Sequence, residues 1–157
     1  MRAPLQVRFE KLQKLIERIT DESKNGRVIV VEGIRDRESL RSMGVTGSIL
    51  CLKSSRKNTI RFAEGLNGER EVILLTDFDR EGVFLAKQLA RILNSQNVHA
   101  NLLLWRQLRG LTRSDLRSIE ELPKLLERLQ SELNFHRSLT DLNRRFANGA
   151  QRYFDMA

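Results

Sequence analysis

The sequence has few of the residue types on which disulfide-bonded, zinc-binding or membrane-spanning proteins depend. It contains one cysteine, Cys51, and two histidines, His99 and His136, among 157 residues. One cysteine cannot close an internal disulfide, and these three residues lack the spacing of zinc ligands. No apolar stretch approaches the roughly 18 residues typical of a membrane span, and the N-terminus lacks an apolar signal segment. We therefore expect a soluble, unprocessed, cytoplasmic protein with no membrane partner.

Basic residues outnumber acidic ones, with 28 Lys and Arg against 20 Asp and Glu, and 21 of the basic residues are Arg. The planar guanidinium of Arg suits bidentate contact with phosphate, so polyanion binding is one interpretation of this charge. Solvated charged faces are the other, because the excess is spread along the whole chain. Charge alone does not decide between the two.

Apolar periodicity predicts alternating strands and helices. Short apolar runs bounded by turn residues predict four strands, at residues 28–31, 48–52, 71–76 and 98–105. Helical spacing predicts helices at residues 5–24, 35–43, 59–66, from the turn at 77–82 to Asn94, and again between Ile119 and Leu133. The alternation predicts an α/β fold, a parallel sheet with right-handed crossovers and helices on both faces.

The C-terminal part of the chain is more polar. Residues 135–157 have four main apolar anchors, Leu139, Leu142, Phe146 and Phe154. We expect a weakly held helix or a mobile tail there.

Polar residues follow three of the predicted strands. Glu32 comes after the first strand, Lys53 after the second, and Asp77 and Asp79 after the third. In the strand order 2-1-3-4, Glu32 and Asp77 converge where the order reverses, which is where open parallel sheets bind ligands. Three carboxylates this close repel one another unless a divalent cation lies between them, and Mg²⁺ prefers such oxygen ligands. A magnesium site is therefore predicted, although Asp79 alone is also explained as a helix cap.

Two motifs in this arrangement resemble one known family. The segments 30–33 (VVEG) and 74–82 (LLTDFDREG) resemble the Toprim domain shared by type IA topoisomerases, bacterial primases, OLD-type nucleases and ribosomal-RNA maturases. The resemblance covers about residues 27–108 and implies a Rossmann-like Toprim core there. Residues 1–26 are then a helix packed on the core, and residues 109–157 a C-terminal helical extension and tail.

The resemblance also implies roles for the acidic residues. Glu32 corresponds to the general acid or base of the family, and Asp77 and Asp79 correspond to its Mg²⁺ ligands, with Mn²⁺ as the substitute ion. Glu32 is also a candidate ligand. Supporting positions are Gly33, Glu81 and Gly82. For Glu81 the favoured explanation is a favourable interaction with the N-terminus of the following helix.

Seven basic residues near the same predicted edge are candidates for nucleic-acid binding: Lys53, Arg56, Lys57, Arg61, Arg80, Arg106 and Arg109. The first four lie in and after the loop that follows the second strand, where they could orient a phosphodiester. A solvated loop is the alternative. Trp105, beside Arg106, could stack on a base, but packing in the core is the favoured interpretation.

Two classes of function are compatible with these features. The first is a metal-dependent enzyme acting on RNA or DNA phosphodiesters, either a maturase-like nuclease or a primase-like nucleotidyltransferase. The second is a non-catalytic RNA- or DNA-binding module, or a subunit of a nucleic-acid-processing complex, and a homodimer is also compatible. A topoisomerase would need a nucleophilic tyrosine on further domains, and Tyr153 is the only tyrosine. An α/β domain for a phosphorylated metabolite is disfavoured by the resemblance and the excess of Arg.

Overall fold

A four-stranded parallel sheet lies at the centre of the fold. The computed structural model describes residues 4–112 and 115–156. The strands are β1 (Val28–Val31), β2 (Ile49–Cys51), β3 (Glu71–Leu75) and β4 (His99–Asn101). Their order is β2-β1-β3-β4, and every neighbouring pair is parallel. The predicted α/β class and strand order are confirmed.

The register brings the carboxyl ends of three strands level with one another. Val31, the last residue of β1, pairs with Cys51 on one side and with Leu75 on the other. All four residues of β1 are buried, as expected for a β-branched run covered on both faces. The residues that follow β1, β2 and β3 therefore meet at one edge of the sheet.

Helices cover both faces of the sheet. In chain order they are α1 (Leu5–Lys24), α2 (Ile34–Ser42), α3 (Thr59–Glu64), α4 (Arg80–Ser95), α5 (Leu103–Thr112), a 3₁₀ turn (Ile119–Glu121) and α6 (Leu122–Asp155). Ile29 and Val31 join a core with α1, α2, α5 and α6, whereas Val28 and Val30 join a second core with α3 and α4. This burial on both sides confirms the predicted layers.

The fourth strand is shorter than predicted. A strand is expected over residues 98–105, but β4 ends at Asn101 and α5 begins at Leu103. The Asn101 Oδ1 accepts the N–H of Leu103, the first residue of the new helix, at 2.9 Å. The run 102–105 (LLLW) is apolar throughout, which fits a buried helix as well as a strand. Arg106 and Arg109, which follow the predicted fourth strand, therefore lie on α5.

The last helix, α6, extends through most of the segment predicted as a weakly held helix or a mobile tail. Its buried residues end at Leu133. The predicted anchors Leu139, Leu142, Phe146 and Phe154 are exposed, so the prediction that they anchor the segment is wrong. They lie on the part of α6 that extends beyond the hydrophobic core. Among the described residues, none of the helices has both the length and the apolar character needed to cross a membrane.

Candidate functional site

Glu32, Lys53 and Asp77 lie together at the carboxyl edge of the sheet. Glu32 directly follows β1, and its side chain is only 3% exposed. Its Oε1 accepts the backbone N–H of Asp77, just beyond β3, at 3.1 Å. Its Oε2 lies 3.5 Å from the Nζ of Lys53, just beyond β2. The structure thus brings residues from three strand ends to one place.

The carboxyl group of Asp77 lies in an environment that disfavours its negative charge. Burial raises its pKa to about 7, and the charges of Asp36, Glu32 and Asp79 act in the same direction. Its Oδ1 is buried and accepts no hydrogen bond from any described residue. A buried carboxylate oxygen without a donor is an atom that a cation can coordinate. The carboxylate donors present here fit Mg²⁺ or Mn²⁺.

Asp79 has a structural role in addition to its candidate metal role. Its Oδ1 accepts the N–H of Gly82 at 2.7 Å and caps α4, as the capping interpretation expects. Within the described parts of the chain, no three Asp, Glu, His or Cys side chains are already grouped around one ion position. Mg²⁺ does not require such a group, because one or two carboxylates commonly hold it together with water and substrate phosphate.

The turn that carries these aspartates is fixed by close backbone contacts. A side chain at Gly82 would collide with the carbonyl oxygen of Asp77, because the two backbones touch directly. The Oγ1 of Thr76 donates to the carbonyl oxygen of Gly82 at 2.8 Å. The glycine of the motif is therefore required for the turn to close, and the closed turn sets the position of Asp77.

Two residues outside the predicted motifs bond to either side of Asp77. The Nε1 of Trp105 donates to the carbonyl oxygen of Thr76 at 2.8 Å. The N–H of Phe78 donates to the carbonyl oxygen of Arg117 at 2.7 Å. Trp105 is buried, and its ring centroid lies 6.1 Å from that of Phe78, which agrees with the core-packing interpretation. Trp105 is thus also a positioning residue for the turn.

Asp36 belongs to this site although neither motif identifies it. It lies in the first turn of α2, where its Oδ2 accepts the N–H of Gly33 at 3.1 Å. Its Oδ1 accepts the N–H of Glu120, 84 residues away, at 3.0 Å. Burial raises the pKa of this carboxyl, and the two N–H bonds partly offset that effect. An acidic residue at the third position of a helix is a capping signal that the sequence offers. The bond from the N–H of Glu120 to Asp36 has no such local signal.

These residues border a cleft of about 520 Å³, which we call the carboxylate cleft. Its lining includes Glu32, Asp36, Lys53, Asp77, Ser118 and Glu120. Asp79 is exposed and is not among the lining residues. Arg35 also lines the cleft, and several carboxylates with two cationic side chains suit a cation-bound phosphate better than an apolar ligand.

Of the seven basic residues predicted to bind nucleic acid, only Lys53 lines the carboxylate cleft. The charge of Glu32 raises the pKa of Lys53, so its ammonium remains protonated. Five others are exposed outside the cleft: Arg56, Lys57, Arg61, Arg80 and Arg106. Arg109 is half-buried, with its guanidinium 5.5 Å from the ring centroid of Trp105. The structure therefore does not gather the seven residues into one surface.

Comparison with known proteins finds related sequences and a related structure. Residues 27–103 match the Toprim domain family. A UPF0292 protein of Methanosarcina acetivorans is 31% identical over 126 residues, which cover 80% of this chain and 86% of that protein. A UPF0292 protein of Thermococcus kodakarensis is 34% identical, over 78% of this chain and 90% of that protein. A UPF0292 protein of Pyrococcus furiosus is 39% identical, over 78% of this chain and 88% of that protein. A solved structure of a protein from Aquifex aeolicus superposes with a TM-score of 0.58 at 26% identity, covering 69% of this chain and 94% of that one.

Proposed function

This chain belongs to the UPF0292 group of Toprim-domain proteins, and from that premise we propose that it is a Mg²⁺-dependent enzyme acting on RNA or DNA phosphodiesters. The Toprim domain implies a metal-binding, nucleic-acid-processing family. Within that family we propose nuclease or nucleotidyl-transfer chemistry. The observation that carries this proposal is the buried, donor-free Oδ1 of Asp77 beside Glu32 and Lys53.

Asp77 and Asp79 are the residues that would hold the ion. When bound, Mg²⁺ supplies Lewis-acid stabilisation of the negative charge that develops on the reacting phosphate. Lys53 lines the cleft with a side chain that is 62% exposed and a protonated ammonium, which can contact a phosphate oxygen. Glu32 is the proposed proton carrier. Its Oε2 lies 3.5 Å from the Nζ of Lys53, and this oxygen would lose that contact when the ammonium binds a phosphate.

The proposal is tested with purified protein and labelled single-stranded, duplex and structured RNA and DNA, each with Mg²⁺, Mn²⁺ or EDTA. We expect products that require the metal and that disappear in Glu32→Gln and Asp77→Asn. Glu64→Gln and Asp141→Asn are matched controls, since both residues are exposed and lie outside the lining of the carboxylate cleft. Circular dichroism and thermal unfolding establish that each variant is folded.

Other outcomes assign the second function or reject both. Binding without products, unchanged in Glu32→Gln and Asp77→Asn and steeply weakened by salt, would identify a non-catalytic RNA- or DNA-binding module. The absence of any nucleic-acid affinity at low salt would overturn both functions. Calorimetry tests the metal assignment separately, because Mg²⁺ binding that persists unchanged in Asp77→Asn would refute it.

A further inference from the structure

A second cavity lies between α1 and α5, and its lining residues fall outside the segment that matches the Toprim domain. It has a volume of about 550 Å³, and we call it the basic groove. Four cations line it, Lys11, Lys14, Arg18 and Arg106. Its described lining includes no acidic residue. Leu15 and Leu111 are its two large apolar members, and both are at least partly buried.

The cations of α1 are gathered on one face by their spacing. Lys11, Lys14 and Arg18 are three and four residues apart, so their side chains share one side of the helix. Glu17 lines a cleft on another side of α1, together with Gln13. Like charges at this spacing destabilise a helix slightly, and in the described part of the chain no acidic group pairs with these three.

A different arginine, Arg8, holds α1 against α5. Arg8 is buried, donates from Nε to the carbonyl oxygen of Leu111 at 2.9 Å, and forms an ion pair with Asp115. Asp115 also pairs with Arg128 on α6 at 2.8 Å. Arg8 therefore fixes α1 against α5, and the exposed cations of the basic groove are left available for a ligand.

Arg106 lines the basic groove from α5, the helix that also carries Trp105. It follows Trp105 directly, and the indole of Trp105 bonds the carbonyl of Thr76, the residue before Asp77. We propose that the basic groove holds the phosphate backbone of the same nucleic acid whose reacting phosphodiester lies at Asp77. This inference rests on the proposed function and deepens it, because it assigns substrate binding to residues that neither motif contains.

A nucleic-acid backbone fits this surface better than an anionic membrane does. The cations stand on both walls of a concave surface, which matches a linear array of phosphates. Binding at a bilayer surface relies on exposed apolar side chains as well as charge, and in the basic groove Leu15 is buried and Leu111 is half-buried. Membrane binding is therefore a distinguishable outcome of the test.

The test compares two variants that each lose one Lys and two Arg. The groove variant is Lys11→Gln/Arg18→Gln/Arg106→Gln. The control is Lys87→Gln/Arg91→Gln/Arg70→Gln, whose positions are also exposed and in which Lys87 and Arg91 belong to α4 on the opposite face of the sheet. Fluorescence anisotropy with a labelled stem-loop, as RNA and as DNA, gives Kd in EDTA from about 50 to 300 mM salt.

Each phosphate contact contributes roughly 0.7 to 0.9 to the slope of log K against log salt. We expect the magnitude of this slope to be smaller by about 2 to 3 in the groove variant than in the wild type. We also expect its affinity at low salt to be at least about tenfold lower. The control variant should keep the wild-type slope to within about 1. In cleavage assays the groove variant should show a raised KM with kcat retained, and its Mg²⁺ binding by calorimetry should equal that of the wild type.

This inference would be overturned if the groove variant had the same Kd and the same salt slope as the wild type. If the wild type cleaved nucleic acid in that case, the proposed function would still stand. A wild type that binds no nucleic acid would overturn the proposed function itself. Vesicles of phosphatidylserine and phosphatidylcholine provide the last arm. Loss of vesicle binding in the groove variant, with nucleic-acid binding unchanged, would assign the basic groove to membranes and overturn the inference.

Discussion

Replacing Asp77 with Asn removes a charge that the folded protein holds in an unfavourable place. The pKa of Asp77 is raised from 3.8 to about 7, with burial as the largest cause. Between these two values the folded chain binds a proton that the unfolded chain has released. The free energy of unfolding in EDTA should therefore fall as pH rises from about 4 to about 7, and should level off above that.

The size of the effect follows from the shift. About three pKa units correspond to about 4 kcal/mol. Asp77 is only half-buried, so solvent screening reduces the expected effect to about 2 kcal/mol. In EDTA at pH 8, Asp77→Asn should be more stable than the wild type by about that amount, or roughly 4–8 °C in Tm for a chain of this length. The difference should disappear near pH 4.

Urea unfolding at several pH values, in EDTA and in Mg²⁺, checks this expectation. Saturating Mg²⁺ should stabilise the wild type, by about 2.7 kcal/mol at 100 times Kd, and should leave Asp77→Asn unchanged. Asp141→Asn, on the exposed part of α6, controls for a general change in net charge. An Asn variant that is less stable than the wild type in EDTA at pH 8, or that gains equally from Mg²⁺, would refute the reasoning.

Three further substitutions or titrations examine how the site is held. Gly82→Ala should destabilise the fold by about 1–3 kcal/mol in thermal unfolding, because its Cβ meets the backbone of Asp77, whereas Gly68→Ala, with nothing within 4 Å, should change stability by at most about 0.5 kcal/mol. Asp36→Ala should cost about 1–3 kcal/mol and speed hydrogen exchange at the Glu120 amide, since two N–H groups lose their acceptor; unchanged exchange there would contradict this role. Mg²⁺ should change the emission of Trp105, the only tryptophan, and the change should be absent in Asp77→Asn.

The central sheet was predictable because its strands are specified locally. The β-branched run of β1 and the apolar run of β3 each end at a polar residue, and burial on both faces leaves a continuous apolar pattern. The order 2-1-3-4 is the one in which Glu32 and Asp77 are expected to converge, and the hydrogen bond between them agrees with that order. Local pattern and site chemistry pointed to the same topology.

The parts that were missed depend on contacts between distant segments. The run 102–105 has no periodicity to separate strand from helix, and the bond from the N–H of Leu103 to the Asn101 side chain is visible only in the structure. The bond from Asp36 to Glu120 and the bond from Arg8 to α5 join residues 84 and 103 positions apart. A single sequence contains no pattern at such separations, so neither the second tie of Asp36 nor the basic groove could be predicted.

The same long-range contacts bear on how much of the chain forms the functional unit. Asp77 lies within the matched segment 27–103, but Trp105 and Arg117, which bond the backbone on either side of it, lie beyond that segment. Without them, the carbonyl of Thr76 and the N–H of Phe78 would lose their partners, and each unpaired buried group costs about 1–3 kcal/mol. The core on the α1 face of the sheet would also lose α5 and α6. Residues outside the matched segment therefore help to position Asp77, and residues 27–103 alone do not contain all the contacts that hold it in place.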